Sequence, residues 1–177
     1  MMKKIVALFL TAVLGVALSS CGGSKESAET STENKQEYVE AATQEAQATG
    51  GFDNEIKLGT GESYLLSSPT KFTPGKFASG QVIGQSFNRF EVTVKNGTSS
   101  DLDLAVLIVQ GSTSGGACVD IFDGDNSIDG APTDPLPAGQ TKTFGWALSC
   151  PGKTGDDLTV KLLSGETALI EAKGKLS

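Results

Sequence analysis

From Phe87 to Gly111 the chain reads FNRFEVTVKNGTSSDLDLAVLIVQG, with apolar side chains at every second position. That period fits a pleated strand, whose side chains point alternately to opposite faces, and not an amphipathic helix, which repeats near 3.6 residues. Phe90, Val92 and Val94 share one face, while Arg89, Glu91, Thr93 and Lys95 share the other. After Asn96-Gly97-Thr98-Ser99-Ser100 the alternation resumes and places Leu102, Leu104, Val106 and Ile108 inward. The segment reads as a hairpin whose Asn-Gly turn supplies positive φ. The opposite face of its second strand is polar at Asp101 and Asp103 but apolar at Ala105, Leu107 and Val109. A strand with one wet face alternates throughout. This half is therefore expected to be covered on both faces, by the chain near 64–66 or 72–77, and to lie centrally in a sheet.

The same pattern recurs in short pieces. Candidate strands are 55–58, 62–67, 86–95, 102–110, 117–122, 141–148, 158–163 and 167–172, separated by Gly, Pro, Asn and Asp. No window offers a long amphipathic helix. Seven or eight short strands over residues 52–177 predict an all-β, antiparallel sandwich in one domain. Leu136-Pro137-Ala138-Gly139 has the Pro and Gly placement of a type I turn. Leu163-Ser164-Gly165-Glu166 is short enough for a hairpin. Trp146, the only tryptophan, lies two residues from Phe144 on one face of 141–148 and reads as a core anchor.

The N-terminus has a different character. Residues 1–20 hold Lys3 and Lys4 and then a fourteen-residue apolar run, 5–18, too short to span a bilayer comfortably and typical of an export signal. Leu18-Ser19-Ser20-Cys21 resembles the bacterial lipobox, which implies cleavage before Cys21 and acylation of Cys21. Residues 21–51 then form a lipid-anchored linker rich in Ser, Thr, Glu, Gln and Ala. Such a composition buries too little apolar surface to offset chain entropy, so it is expected to be a disordered tether.

Beyond residue 20 there are 12 basic and 21 acidic residues, a net charge of −9. An acidic surface of that kind repels nucleic acid and anionic headgroups. The membrane partner is then reached through the lipid on Cys21 and not through a basic patch. Cys118 and Cys150 remain, in an exported domain where disulfides persist, and a bridge between them is expected. Zinc would need further Cys or His, and the chain has no histidine.

Three segments, Ser68-Pro69-Thr70-Lys71-Phe72-Thr73-Pro74, Phe90 to Thr98, and Leu136 to Thr141, carry a family likeness. In that order they resemble the immunoglobulin-like, telokin-like domains of the DUF4352 type found in secreted and lipid-anchored Gram-positive proteins, notably actinobacterial lipoproteins. The resemblance spans roughly 57–171. It implies an immunoglobulin-like β-sandwich outside the membrane, without enzymatic activity and without catalytic residues to carry over.

The residues themselves argue against an enzyme. Without histidine, Ser-His-Asp and Cys-His constellations are impossible. Asp156-Asp157 is an adjacent pair before a strand and reads as a solvated turn. The run Gly111-Ser112-Thr113-Ser114-Gly115-Gly116 reads as a mobile linker with no lysine placed for phosphate. The segment 120–130 gathers Asp120, Asp123, Asp125 and Asp129, an oxygen-rich set that hard cations favour. It departs from the EF-hand, with Ile128 where glycine should sit and Asp134 at the twelfth position. Two readings of it stand: turns capped by Asp and Asn, or a calcium site. No cofactor is called for. The leading expectation is a lipid-anchored, non-catalytic domain that binds an envelope protein, glycan or peptide. The alternatives are an ion or small-ligand receptor using 120–129, and a cell-surface enzyme or enzyme inhibitor.

Overall fold

Alternation becomes strand almost everywhere it was read. The computed structural model describes residues 45–177. The signal segment, the lipobox with Cys21 and the tether up to residue 44 lie outside the described residues. In chain order the strands are β1 (Ala48–Gly51), β2 (Ile56–Lys57), β3 (Ser63–Leu66), β4 (Thr70–Lys71), β5 (Ser86–Lys95) and β6 (Leu107–Thr113). They continue with β7 (Gly116–Ala117), β8 (Val119–Asp120), β9 (Thr141–Cys150), β10 (Asp157–Ser164) and β11 (Thr167–Lys175). A single 3-10 turn, Gly124–Asn126, is the only helical element among the described residues.

The strands form two sheets. One has the order β1-β11-β10-β6-β7 and the other β2-β3-β5-β9-β8, with β4 also against β5. The second is built on the ten-residue β5–β9 ladder, from Ser86 opposite Cys150 to Lys95 opposite Thr141. Strands β3, β5, β9 and β8 stand where A, B, E and D stand in an immunoglobulin sandwich, and β11, β10 and β6 where G, F and C stand. The expected all-β sandwich is what forms, with eleven strands among the described residues because several edge pieces are only two residues long.

Between the sheets lie Phe90, Val92, Val94, Trp146 and Leu148 from one side, and Val109, Leu158, Val160, Leu162 and Ile170 from the other, each at most 5% exposed. Burying such a side chain contributes about 1.5–3 kcal/mol, so this interface is the main stabilising term.

Several local expectations are corrected. Strands β5 and β6 are not a hairpin but belong to different sheets, because 96–106 crosses the sandwich. On the way Leu102 bonds to Leu136, with N–H to C=O distances of 2.9 and 2.8 Å, and Leu104 is buried. The Leu107 N–H then closes a turn on the Leu104 carbonyl at 3.0 Å. That turn shifts the alternation by one residue. Leu107 and Val109 therefore face the core, while Val106 and Ile108 are 42% and 43% exposed. The double coverage expected at Leu107 and Val109 occurs instead on β9, where Trp146 to Cys150 are all buried.

The linker reading of 21–51 overruns by one strand, since β1 pairs parallel with β11, Ala48 opposite Ile170. The glycine-rich run 111–116 is no mobile linker: Thr113 and Gly116 pair in the β6–β7 hairpin. The turn after Leu136 closes one residue later than expected, from the Gln140 N–H to the Pro137 carbonyl at 3.1 Å.

Gly97 does not supply positive φ. Its backbone instead packs so closely on Gly61 that a Cβ would sit 2.2 Å from the Gly61 carbonyl oxygen. The turn is made by Asn96, fully buried, whose Nδ2 donates to the carbonyls of Ser100 and Leu136, both at 2.8 Å. Its Oδ1 accepts from the Thr98 N–H and hydroxyl at 3.0 and 2.7 Å.

Cys118 and Cys150 form the expected disulfide, with Cα atoms 4.3 Å apart. Cys118 sits where the chain passes between sheets: its N–H donates to Gly111 of β6, and β8 begins at the next residue. The bridge fastens that crossing to the end of β9.

Candidate binding groove beside strand nine

The outer face of β9 is covered by the acidic segment. Ile121 and Ile128, each 1% exposed, pack on Ala147 with Phe72, Ala78 and Phe87 around them. The Ile121 N–H donates to the Ala147 carbonyl at 2.9 Å, extending the β8–β9 pairing by one residue. The chain then turns. Asp123 and Ile128 exchange main-chain hydrogen bonds at 2.8 and 3.0 Å across the 3-10 turn.

This explains the aspartates. Asp123 is buried, and its carboxylate accepts the Gly75 N–H and the Asn126 amide, both at 2.7 Å. The Gly75 bond above all holds its pKa below the ordinary range. Asp120 accepts the Trp146 indole N–H at 2.9 Å, and burial pushes its pKa up despite that bond. Asp125 and Asp129 are exposed. No group of three or more ligating side chains converges among the described residues. Of the four aspartates read as a calcium set, Asp120 and Asp123 bond to Trp146 and Gly75, Asp125 and Asp129 are exposed, and the segment packs as a cover on β9. Of the pair read as a turn, Asp156 closes the turn before β10, accepting the Lys153 N–H at 2.8 Å, whereas Asp157 is the first residue of β10, opposite Lys175.

Past Ile128 the chain runs beside β9, leaving a groove of about 550 Å³. Arg89 and Glu91 of β5 and Lys142 to Gly145 of β9 line one side, and Ser127 with Asp129 to Thr133 the other. Its size falls in the ordinary range of ligand pockets. Opposite charges share it, Arg89 and Lys142 with Glu91 and Asp129. Among the described residues the Arg89 guanidinium has neither an ion pair nor a hydrogen bond. It reaches over Gly145, 3.7 Å from where a Cβ would stand, and the Ser127 carbonyl lies 3.0 Å from the same point. Any side chain at residue 145 would therefore close this end of the groove.

Of these residues the sequence reading named Asp129, Phe144 and, as one face of the strand at 86–95, Arg89 and Glu91, none of them for a groove. The available signal was Gly145, which interrupts an otherwise regular strand pattern and so marks a close approach. A smaller cavity, about 170 Å³, is lined by Glu62, Tyr64, Val106 and Leu107 among others. There burial, with the charge of Glu62, raises the Tyr64 hydroxyl pKa above its ordinary value.

With the fold and groove in view, three solved structures compare with the chain. A Bacillus subtilis protein described as a lipoprotein, YcdA, aligns at TM-score 0.50 and 9% identity, over 74% of this chain and 39% of its own. What that protein shares with this chain is the sandwich. This chain thus spans well under half of the Bacillus protein. The secreted Mycobacterium tuberculosis protein MPT63 aligns at TM-score 0.49 and 16% identity, over 71% of this chain and 96% of its own. An uncharacterised β-sandwich protein from Clostridium difficile aligns at TM-score 0.44 and 10% identity, over 75% and 96%. No family model and no curated protein matches the chain.

Proposed function

We propose that this chain is an extracytoplasmic, lipid-anchored, non-catalytic binding domain of the immunoglobulin-like DUF4352 type, and that its ligand sits in the groove beside β9. The observation that carries the binding reading is the Arg89 guanidinium, unpaired among the described residues, in a formed groove of about 550 Å³. A five-donor planar cation without an acidic partner is suited to a carboxylate or phosphate brought by something else. The Cys118–Cys150 bridge supports an oxidising compartment. The lipobox ending in Cys21 supports the anchor. The absence of histidine from the sequence supports a binding role over the commonest forms of acid–base catalysis.

Two measurements test this. A photo-crosslinking residue at Thr133, on the groove wall, is expected to capture an envelope component, whereas one at Lys173, exposed on the other sheet, is not. Equal capture from both, or none from Thr133, sinks the groove as the binding site. Cys21→Ala is expected to move the protein from the membrane to the soluble fraction, and undiminished membrane retention sinks the anchor.

A further inference from the structure

The groove is bounded by unpaired main chain. The Ala147 carbonyl points away from β5, since it accepts from Ile121. Residues two apart on a strand aim their N–H and C=O groups the same way, so Gly145 and Thr143 point away from β5 as well. Strand β8 pairs only with Leu148 and Ser149, and the bond from Ile121 is the last before the chain turns off. Among the described residues no main-chain bond joins Thr143 or Gly145 to the opposite wall at 129–133. Two donors and two acceptors, spaced at the strand repeat, therefore face the cavity.

We infer that the ligand is an extended peptide that adds to β9 as an extra strand at Thr143–Gly145, with an acidic side chain of the peptide taken by Arg89. This inference rests on the groove reading above and deepens it. Strand addition draws affinity from main-chain hydrogen bonds and specificity from the side chains at alternate positions. Both parts are present. The edge supplies the ladder, and the Arg89 guanidinium, above Gly145, stands beside the row that an added strand occupies. The outer strands of both sheets are no longer than four residues, which keeps their edges short. Strand β9 is ten residues long and leaves its first half open. Strand β6 has an unpaired stretch near Val109 too, but Val109 lines neither cavity.

The test uses residues 22–177 and a phage-displayed library of random linear nonapeptides. Peptides carrying Asp or Glu at a fixed position are expected to enrich. The best synthetic peptide is expected to lose at least tenfold in affinity against Arg89→Ala. N-methylation at single positions along that peptide is expected to abolish binding at every second residue, the signature of a strand ladder. Thr143→Pro, which removes an N–H facing the groove while leaving the β5 ladder its bonds, is expected to lose at least tenfold as well, with folding checked by circular dichroism. If Thr143→Pro does not fold, the N-methyl scan decides alone. No enrichment, or methylation losses without a two-residue period, overturns the inference. So does a dimer of the wild-type chain, seen by sedimentation and lost in Thr143→Pro, since the edge would then hold a second copy. If Thr133 still crosslinks an envelope component when the library fails, the groove stands and the peptide falls.

Discussion

At the scale of single residues, two buried polar side chains organise loops that the alternation pattern leaves undefined. Asn96 spends both amide hydrogens and both lone pairs on the connection between the sheets. Asn96→Ala is expected to cost about 1–3 kcal/mol, the usual penalty for stranding buried partners. Asn96→Asp, nearly the same shape, is expected to cost more, because it sets a negative charge against two carbonyls, and urea midpoints rank the two variants. Asp123 and Asp120 give opposite pH dependences. The Asp123 pKa is lowered from 3.8, so its stabilisation is present above that value and is lost as pH falls through the folded-state pKa. The Asp120 pKa is raised from 3.8, chiefly by burial, so its contribution to stability falls as pH rises from 3.8 through the folded-state pKa. Melting temperatures recorded against pH are expected to show Asp120→Asn more stable than the wild type at neutral pH, and Asp123→Asn less sensitive to acid.

At the scale of elements, the register of β6 is the sharpest case. Val109 is 3% exposed and Ile108 43%, although alternation read from Leu102 puts Ile108 inside. Val109→Ala is expected to cost roughly 1–3 kcal/mol by opening a core cavity, and Ile108→Thr to stay within about 0.5 kcal/mol; equal effects would mean the register is wrong. The contrast shows what a sequence can carry. The strands β5, β9, β10 and β11 were visible because each keeps its apolar alternation over most of its length, broken in the β10–β11 ladder only by the shift at Leu162–Leu163. The Leu104–Leu107 turn was not, since one tertiary turn flips every later side chain without altering the apolar count. Two-residue strands such as β4 and β7 are defined by their partners and leave no periodic trace. The groove was illegible for the same reason. Arg89 and Thr133 are 44 positions apart, and nothing local announces that 127–133 will run beside β9.

At the scale of the whole molecule, the two sheets are joined by their packed faces and by one covalent staple. Cys118 and Cys150 are 32 residues apart. Closing a loop of that length stabilises a fold by about 3–4 kcal/mol in the chain-entropy treatment. The Cys118→Ala/Cys150→Ala double variant is expected to show that loss in guanidinium unfolding, with no further effect of reductant. The enclosed loop contains the acidic cover and the far wall of the groove, so the same variant is expected to weaken ligand capture at Thr133. The arrangement of Trp146 has one more consequence. Its indole is buried, bonded to Asp120, and packed edge-to-face with Phe144 at a ring separation of 6.3 Å, and Phe144 lines the groove. Being the sole tryptophan, it is expected to make the chain optically self-reporting, its emission shifting with the protonation of Asp120 and with the filling of the groove, with no label attached.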